Sequence, residues 1–208
     1  MKKILISTFL CSAIILNAQK NNNAAIIGGV AAATTLTFLT ANMQKKEMAK
    51  QISQFRSKEY IINYLIGEAG SREIRFETES LASDDSGGLI SVAFNCDEIN
   101  ERGLLLAFFG ENRDQNGNLG NAYAFRYLPL TEAQDVLARL EKVREGQSKY
   151  LSESTNVNNV YVQHKDLKFV FYRDNGNQIR VFWNGFEVIW EQTAFDRTKR
   201  RLAKWFNK

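Results

Sequence analysis

The sequence predicts an α+β fold, in which one or two N-terminal apolar helices precede one domain of antiparallel strands with two covering helices. Three observations carry that expectation. The first forty-three residues hold two apolar stretches, Ile4–Leu16 and Ala24–Ala41, separated only by the polar segment Asn17–Asn23. From residue 73 onward, short alternating or continuous apolar runs are punctuated by Gly, Asn and Asp, as strands and turns are. Two later segments, 131–146 and 193–206, instead space their apolar residues three and four apart, as amphipathic helices do.

Lys2 and Lys3 ahead of Ile4–Leu16 have the layout of a secretory signal, and Ala18 offers a small residue for cleavage, so residues 1–19 read as a signal peptide. The stretch is short for a span, which wants about 20 apolar residues. Cys11 lies behind Leu10 inside the apolar run, the wrong setting for an acylated cysteine. Residues 24–43 read as a transmembrane helix or as a weakly apolar packing helix. Ile26, Ile27, Val30, Leu36, Phe38 and Leu39 favour insertion by about 0.3–0.6 kcal/mol each, while Gly28, Gly29 and four threonines oppose it. If the segment spans, Lys45, Lys46 and Lys50 place the following domain in the cytoplasm. If it does not, the domain is exported. Either way the chain is expected in the cell envelope, with the membrane as a partner.

Residues 44–69 read as an amphipathic helical connector, with Met48, Ile52, Phe55, Ile62 and Ile66 on one stripe and Gly67 and Gly70 at its end. The globular α+β domain is expected over 71–208. Its first strand is Glu73–Ser80, by the alternation of Ile74, Phe76 and Thr78 with charged neighbours. Leu89–Asn95 and Leu104–Gly110 are apolar runs with at least one buried face, and Ala122–Leu128 is a fourth strand, stopped by Pro129. Thr131 with Gln134 forms a capping box for a helix carrying Val136, Leu137, Leu140 and Val143. After a polar connector the order recurs: Val160–Gln163, Leu167–Arg173, Gln178–Asn184 and Phe186–Glu191 are strands, with Asn175-Gly176 as a tight hairpin signal. Thr193 then caps a closing helix, with Asp196 three residues on. Each half is thus expected to be four strands followed by a helix.

That element order resembles the strand-strand-strand-strand-helix repeat of the Whirly and PUR-type single-stranded nucleic-acid-binding families. The resemblance covers Glu73 to Phe206 and rests on order alone, with no family motif matched, so it carries over no functional residue. It implies a duplicated ββββα unit and keeps nucleic acid among the partners to consider.

Composition bounds the rest. Aromatics make up 12% of the 208 residues and proline occurs once, as in an ordered strand-rich domain. The net charge of +4 falls to +2 without Lys2 and Lys3, which demands no polyanionic partner. Once the signal is removed Cys96 is the one thiol, so an intramolecular disulfide is excluded. Cys96 and His164 form a nucleophile–base pair only if they meet in space. Asp84, Asp85, Asp97, Glu98 and Glu101 supply carboxylates in what reads as solvated loop. Asn112–Leu119 opens like a calcium loop but has Tyr123 where the bidentate carboxylate belongs, which favours a plain turn-rich loop. No catalytic, cofactor or metal-binding residue is assigned. The expected binding surface interleaves rings and cations: Lys168, Tyr172, Arg173, Arg180 and Phe182 on a predicted hairpin, and Arg197, Arg200, Arg201 and Lys204 on the closing helix. The favoured reading is a non-enzymatic module that binds a partner protein or envelope component through its sheet face. The alternative is a membrane-tethered single-stranded nucleic-acid binder.

Overall fold

Two four-stranded antiparallel sheets, each followed by a long helix, dominate this computed structural model, which describes residues 47–67, 72–83, 88–110, 112, 120–153, 157–174 and 176–207. The expected signal peptide at 1–19 and the apolar segment at 24–43 lie outside the described residues, as do Asp84 and Asp85. Helix α1 occupies 47–66. Strands β1 (Glu77–Ser83), β2 (Leu89–Cys96), β3 (Glu101–Phe109) and β4 (Tyr123–Pro129) pair in chain order as the first sheet. Helices α2 (Leu130–Gly146) and α3 (Ser148–Ser152) follow. Strands β5 (Val160–His164), β6 (Leu167–Arg173), β7 (Asn177–Trp183) and β8 (Phe186–Glu191) form the second sheet, and α4 (Gln192–Phe206) closes the chain. The fold is α+β, and four strands followed by a helix occur twice.

The first sheet is buried on both faces, which explains why β2 and β3 read as continuous apolar runs. Leu89, Ala93, Leu104, Leu106 and Phe108 turn toward α2, α4 and the inner face of the second sheet, in one shared core. Their alternate neighbours Val92, Phe94, Leu105 and Ala107 turn the other way, under α1. The second sheet contributes Phe169, Phe171, Ile179, Val181, Val188 and Trp190 to the shared core. No element among the described residues covers its outer face.

Polar contacts join the pieces around this core. Ser91 Oγ and Thr198 Oγ1, both buried, lie 2.6 Å apart between β2 and α4. Arg144 of α2 donates to Asp196 of α4 at 2.8 Å and to Glu141 on its own helix, and Lys199 meets Glu141 at 3.0 Å. The β7–β8 connection is a two-residue turn with positive φ at Asn184 (47°) and Gly185 (81°), the conformation whose twist suits a hairpin.

Four expectations need correction. The first strand runs over Glu77–Ser83, not Glu73–Ser80: the register shifts between Ser80 and Ala82, and this bulge turns Leu81 into the core. The capping boxes do not form. Pro129 already has the extended geometry that starts α2, so Thr131 falls inside the first turn. In α4, Gln192 opens the helix ahead of Thr193, and Asp196 serves Arg144 instead of a backbone N–H. Finally, the apolar stripe of α1 holds only in part: Met48, Ile52 and Ile66 pack on the first sheet as expected, but its middle is out of phase. Ile52 and Ile61 are buried, while Phe55 and Ile62 stand exposed. Nine residues at about 100° each would set Ile52 and Ile61 on opposite sides of an α-helix. A wide turn over Ile52–Arg56, closed by the Ser57 N–H on the Ile52 carbonyl, lies between them and turns them toward one face; a second, over Ile61–Ile66, follows and is closed by Gly67 N on Ile62 O (3.1 Å).

Candidate binding surface

Alternation along β5–β8 sends odd-numbered residues of β6 and β7 into the core and even-numbered ones outward. Three cross-strand rows result on the outer face. Gln163, Lys168, Phe182 and Glu187 form the first, and Tyr161, Val170, Arg180 and Ile189 the second. Tyr172, Gln178 and Glu191 form the third. Tyr161 is 56% exposed and donates from its hydroxyl to Gln163 at 2.7 Å. The Tyr172 ring is buried, with the Arg180 guanidinium 5.3 Å from its centroid and its hydroxyl donating to Gln178 at 2.8 Å. Arg180 also pairs with Glu187 at 2.7 Å. The face is therefore a mixed apolar and aromatic patch with both signs of charge.

Of the nine residues expected to form one surface, the structure brings four together here: Lys168, Tyr172, Arg180 and Phe182. Arg173 leaves the group, since at the end of β6 it follows the core-facing parity and donates to the Ser152 carbonyl at 3.2 Å. Arg197, Arg200, Arg201 and Lys204 lie on α4, which packs into the shared core through Phe195 and Leu202, against β1 and β2 of the first sheet and the inner side of β7 and β8. They are exposed, but on the far side of the second sheet from Lys168 and Arg180. Arg201 donates to the Leu81 carbonyl at 2.8 Å and so closes the bulged end of the β1 edge. Of the other rings, Phe169, Phe171 and Trp190 are core. Trp183 stacks on Phe108 (4.9 Å between centroids) and donates to Asp166 at 2.8 Å. Sequence reasoning missed Tyr161, Val170, Glu187 and Ile189, although the period-two pattern that places Lys168 outward also places Val170 outward.

Cys96 and His164 do not meet. Cys96 is packed with the residues beneath α1, where burial pushes its thiol pKa up, and its Sγ lies 3.4 Å from the Arg75 carbonyl. His164 ends β5 and its Nε2 lies 3.0 Å from Glu132 Oε1 on α2. Glu98 pairs with Arg75, and Glu101 accepts the Tyr127 hydroxyl at 2.7 Å. Burial and that bond push the tyrosine pKa well above its ordinary value. Asn112, the first residue of the calcium-like loop, bridges to Phe186 and accepts from Gly120 N at 2.8 Å; residues 113–119 lie outside the described ones. Among the described residues no group of three or more His, Cys, Asp or Glu converges on one point. No helix among them is long and apolar enough to cross a membrane.

No protein-family model matches the chain, and no curated protein or solved structure matches it either.

Proposed function

We propose that this protein is a non-enzymatic binding module of the cell envelope, delivered by its signal-like residues 1–19 and held at the membrane by residues 24–43. It engages a partner protein or envelope component through the outer face of its second sheet. The observation that carries the reading is the asymmetry between the sheets. Both faces of the first are packed, whereas the second offers Tyr161, Val170, Phe182 and Ile189 beside Lys168 and Arg180 with no element of the described chain over them. Interface cores are enriched in such aromatic and Arg residues. The test is a photo-crosslinking side chain placed at Tyr161 or Phe182 of the full chain in its own cells, with Lys142 on α2 as the control site. One discrete adduct at the sheet positions, lost on Val170→Asp, supports the reading. Identical patterns at all three positions overturn it. A reporter fused after Lys208 tells which side of the membrane the module works on.

A second reading is favoured by one observation: Lys168, Arg180, Tyr172 and Phe182 share a face, on a chain whose element order resembles the Whirly and PUR-type repeat. On this reading the module binds single-stranded nucleic acid on the cytoplasmic side. The Arg180–Glu187 pair and the covered Tyr172 ring weigh against it, because stacking needs an open ring face. Affinity for single-stranded DNA that falls steeply with added salt supports this reading, and its absence at low salt removes it.

A further inference from the structure

We propose that α1 lies along the membrane surface, with Phe55 and Ile62 at the boundary between headgroups and acyl chains. This rests on the reading that residues 24–43 hold the chain in the bilayer. Of the six large apolar side chains standing most exposed among the described residues, three are on α1: Phe55 (66%), Ile62 (48%) and Tyr64 (74%). Tyr64 turns aside and packs on Tyr60 at 5.0 Å between centroids, whereas Phe55 and Ile62, seven residues apart, fall two turns along one face and form an exposed apolar ridge. The wide turn over Ile52–Arg56 helps to bring Ile52 and Ile61 together onto the first sheet, and Phe55 and Ile62 are left on the solvent side.

Two further features say what covers it. The ridge carries Glu59 between Phe55 and Ile62, paired with Arg56 at 2.8 Å; with the exposed Lys50 and Lys58, and Lys45 and Lys46 ahead of it in sequence, cations outnumber Glu47 and Glu59 along the helix and suit anionic lipid. The chain before α1 also sets a distance. Only residues 44–46 separate residue 43 from Glu47, and fully extended they reach about 14 Å. With 24–43 in the bilayer, the start of α1 cannot leave the lipid surface by more than that. The layers then fix an orientation: α1 on the bilayer, the first sheet above it, the shared core next, and the open face of the second sheet turned away from the lipid toward a partner.

The full chain is reconstituted in vesicles of phosphatidylethanolamine and phosphatidylglycerol whose acyl chains carry bromine near the headgroup. Phe55→Trp, Ile62→Trp and Tyr161→Trp are compared with the wild type; all three positions are exposed, so the fold tolerates the ring. Emission added at 55 and 62 should drop about twofold in brominated vesicles, and emission added at 161 should not change. Unquenched emission at 55 and 62 in a chain that floats with the vesicles overturns the docking of α1 and leaves the envelope reading standing. A chain that does not float with the vesicles overturns both.

Discussion

At the residue scale, Glu132 gathers polar contacts from both halves. Its carboxylate meets Lys165 Nζ at 2.6 Å, His164 Nε2 at 3.0 Å and Arg126 Nη2 at 3.7 Å. Arg126 also pairs with Asp166, which accepts the Trp183 N–H. Burial alone would raise the Glu132 pKa, but the hydrogen bonds from Lys165 and His164 and the nearby cations outweigh it and hold the carboxyl below its usual range. Asp166 is held down in the same way by Trp183 and Arg126 against its own burial. A carboxyl whose pKa is lower folded than unfolded stabilises the fold above the unfolded value and loses that contribution as pH falls through the folded one. Urea titrations should therefore show stability falling from about pH 5 downward. Glu132→Gln should cost about 1–3 kcal/mol at pH 7 and flatten that acid decline. A wild-type slope in the variant would place the acid sensitivity elsewhere. Glycines separate as sharply. A Cβ at Gly103 would overlap the Leu128 carbonyl oxygen, so Gly103→Ala should cost at least the upper end of about 1–3 kcal/mol. Gly146, in open space at the end of α2, should gain about 0.5–1 kcal/mol on replacement by Ala, read from the same denaturation midpoints.

At the element scale, the phase of α1 makes the most discriminating prediction. Ile61→Ala should cost about 2–5 kcal/mol, because Ile61 is fully buried against the first sheet. Its neighbour Ile62→Ala should stay within about 0.5 kcal/mol. A regular α-helix carrying the stripe read from the sequence would reverse that order, so two thermal melts decide between the phases. The same contrast marks what was legible beforehand. Strands β2 to β8 and both long helices could be read because their apolar residues follow a period of two or about 3.6, and tertiary packing agreed with the pattern. The wide turns of α1 and the bulge at Leu81 add residues to a period without changing composition, so no periodicity count detects them. The binding face was half legible. Alternation separated Lys168 and Tyr172 from Phe169 and Phe171 correctly. Whether the α4 cations joined that face depended on which side of the sheet α4 packs, and only Phe195 and Leu202 meeting the inner cluster decides that.

At the scale of the whole molecule, the two ββββα halves share one core, and the aromatic residues report on it unequally. All three tryptophans, Trp183, Trp190 and Trp205, belong to the second half. Phe108 of the first half packs between the halves, 4.9 Å from Trp183 and 6.0 Å from Phe186. Small domains with one core unfold as a unit, so tryptophan fluorescence and far-UV circular dichroism should give the same midpoint, although the first reads one half and the second reads both. Phe108→Ala removes a buried ring from the first half and should cost about 3–5 kcal/mol. The decisive point is where that loss appears. If the halves are one cooperative unit, the fluorescence midpoint falls as far as the circular dichroism midpoint, because the second half cannot persist without the surface Phe108 helps to cover. If fluorescence keeps its wild-type midpoint while circular dichroism becomes biphasic, the halves fold separately. The buried Ser91–Thr198 contact and the Arg144–Asp196 pair would then be docking contacts between two domains, no longer parts of one interior.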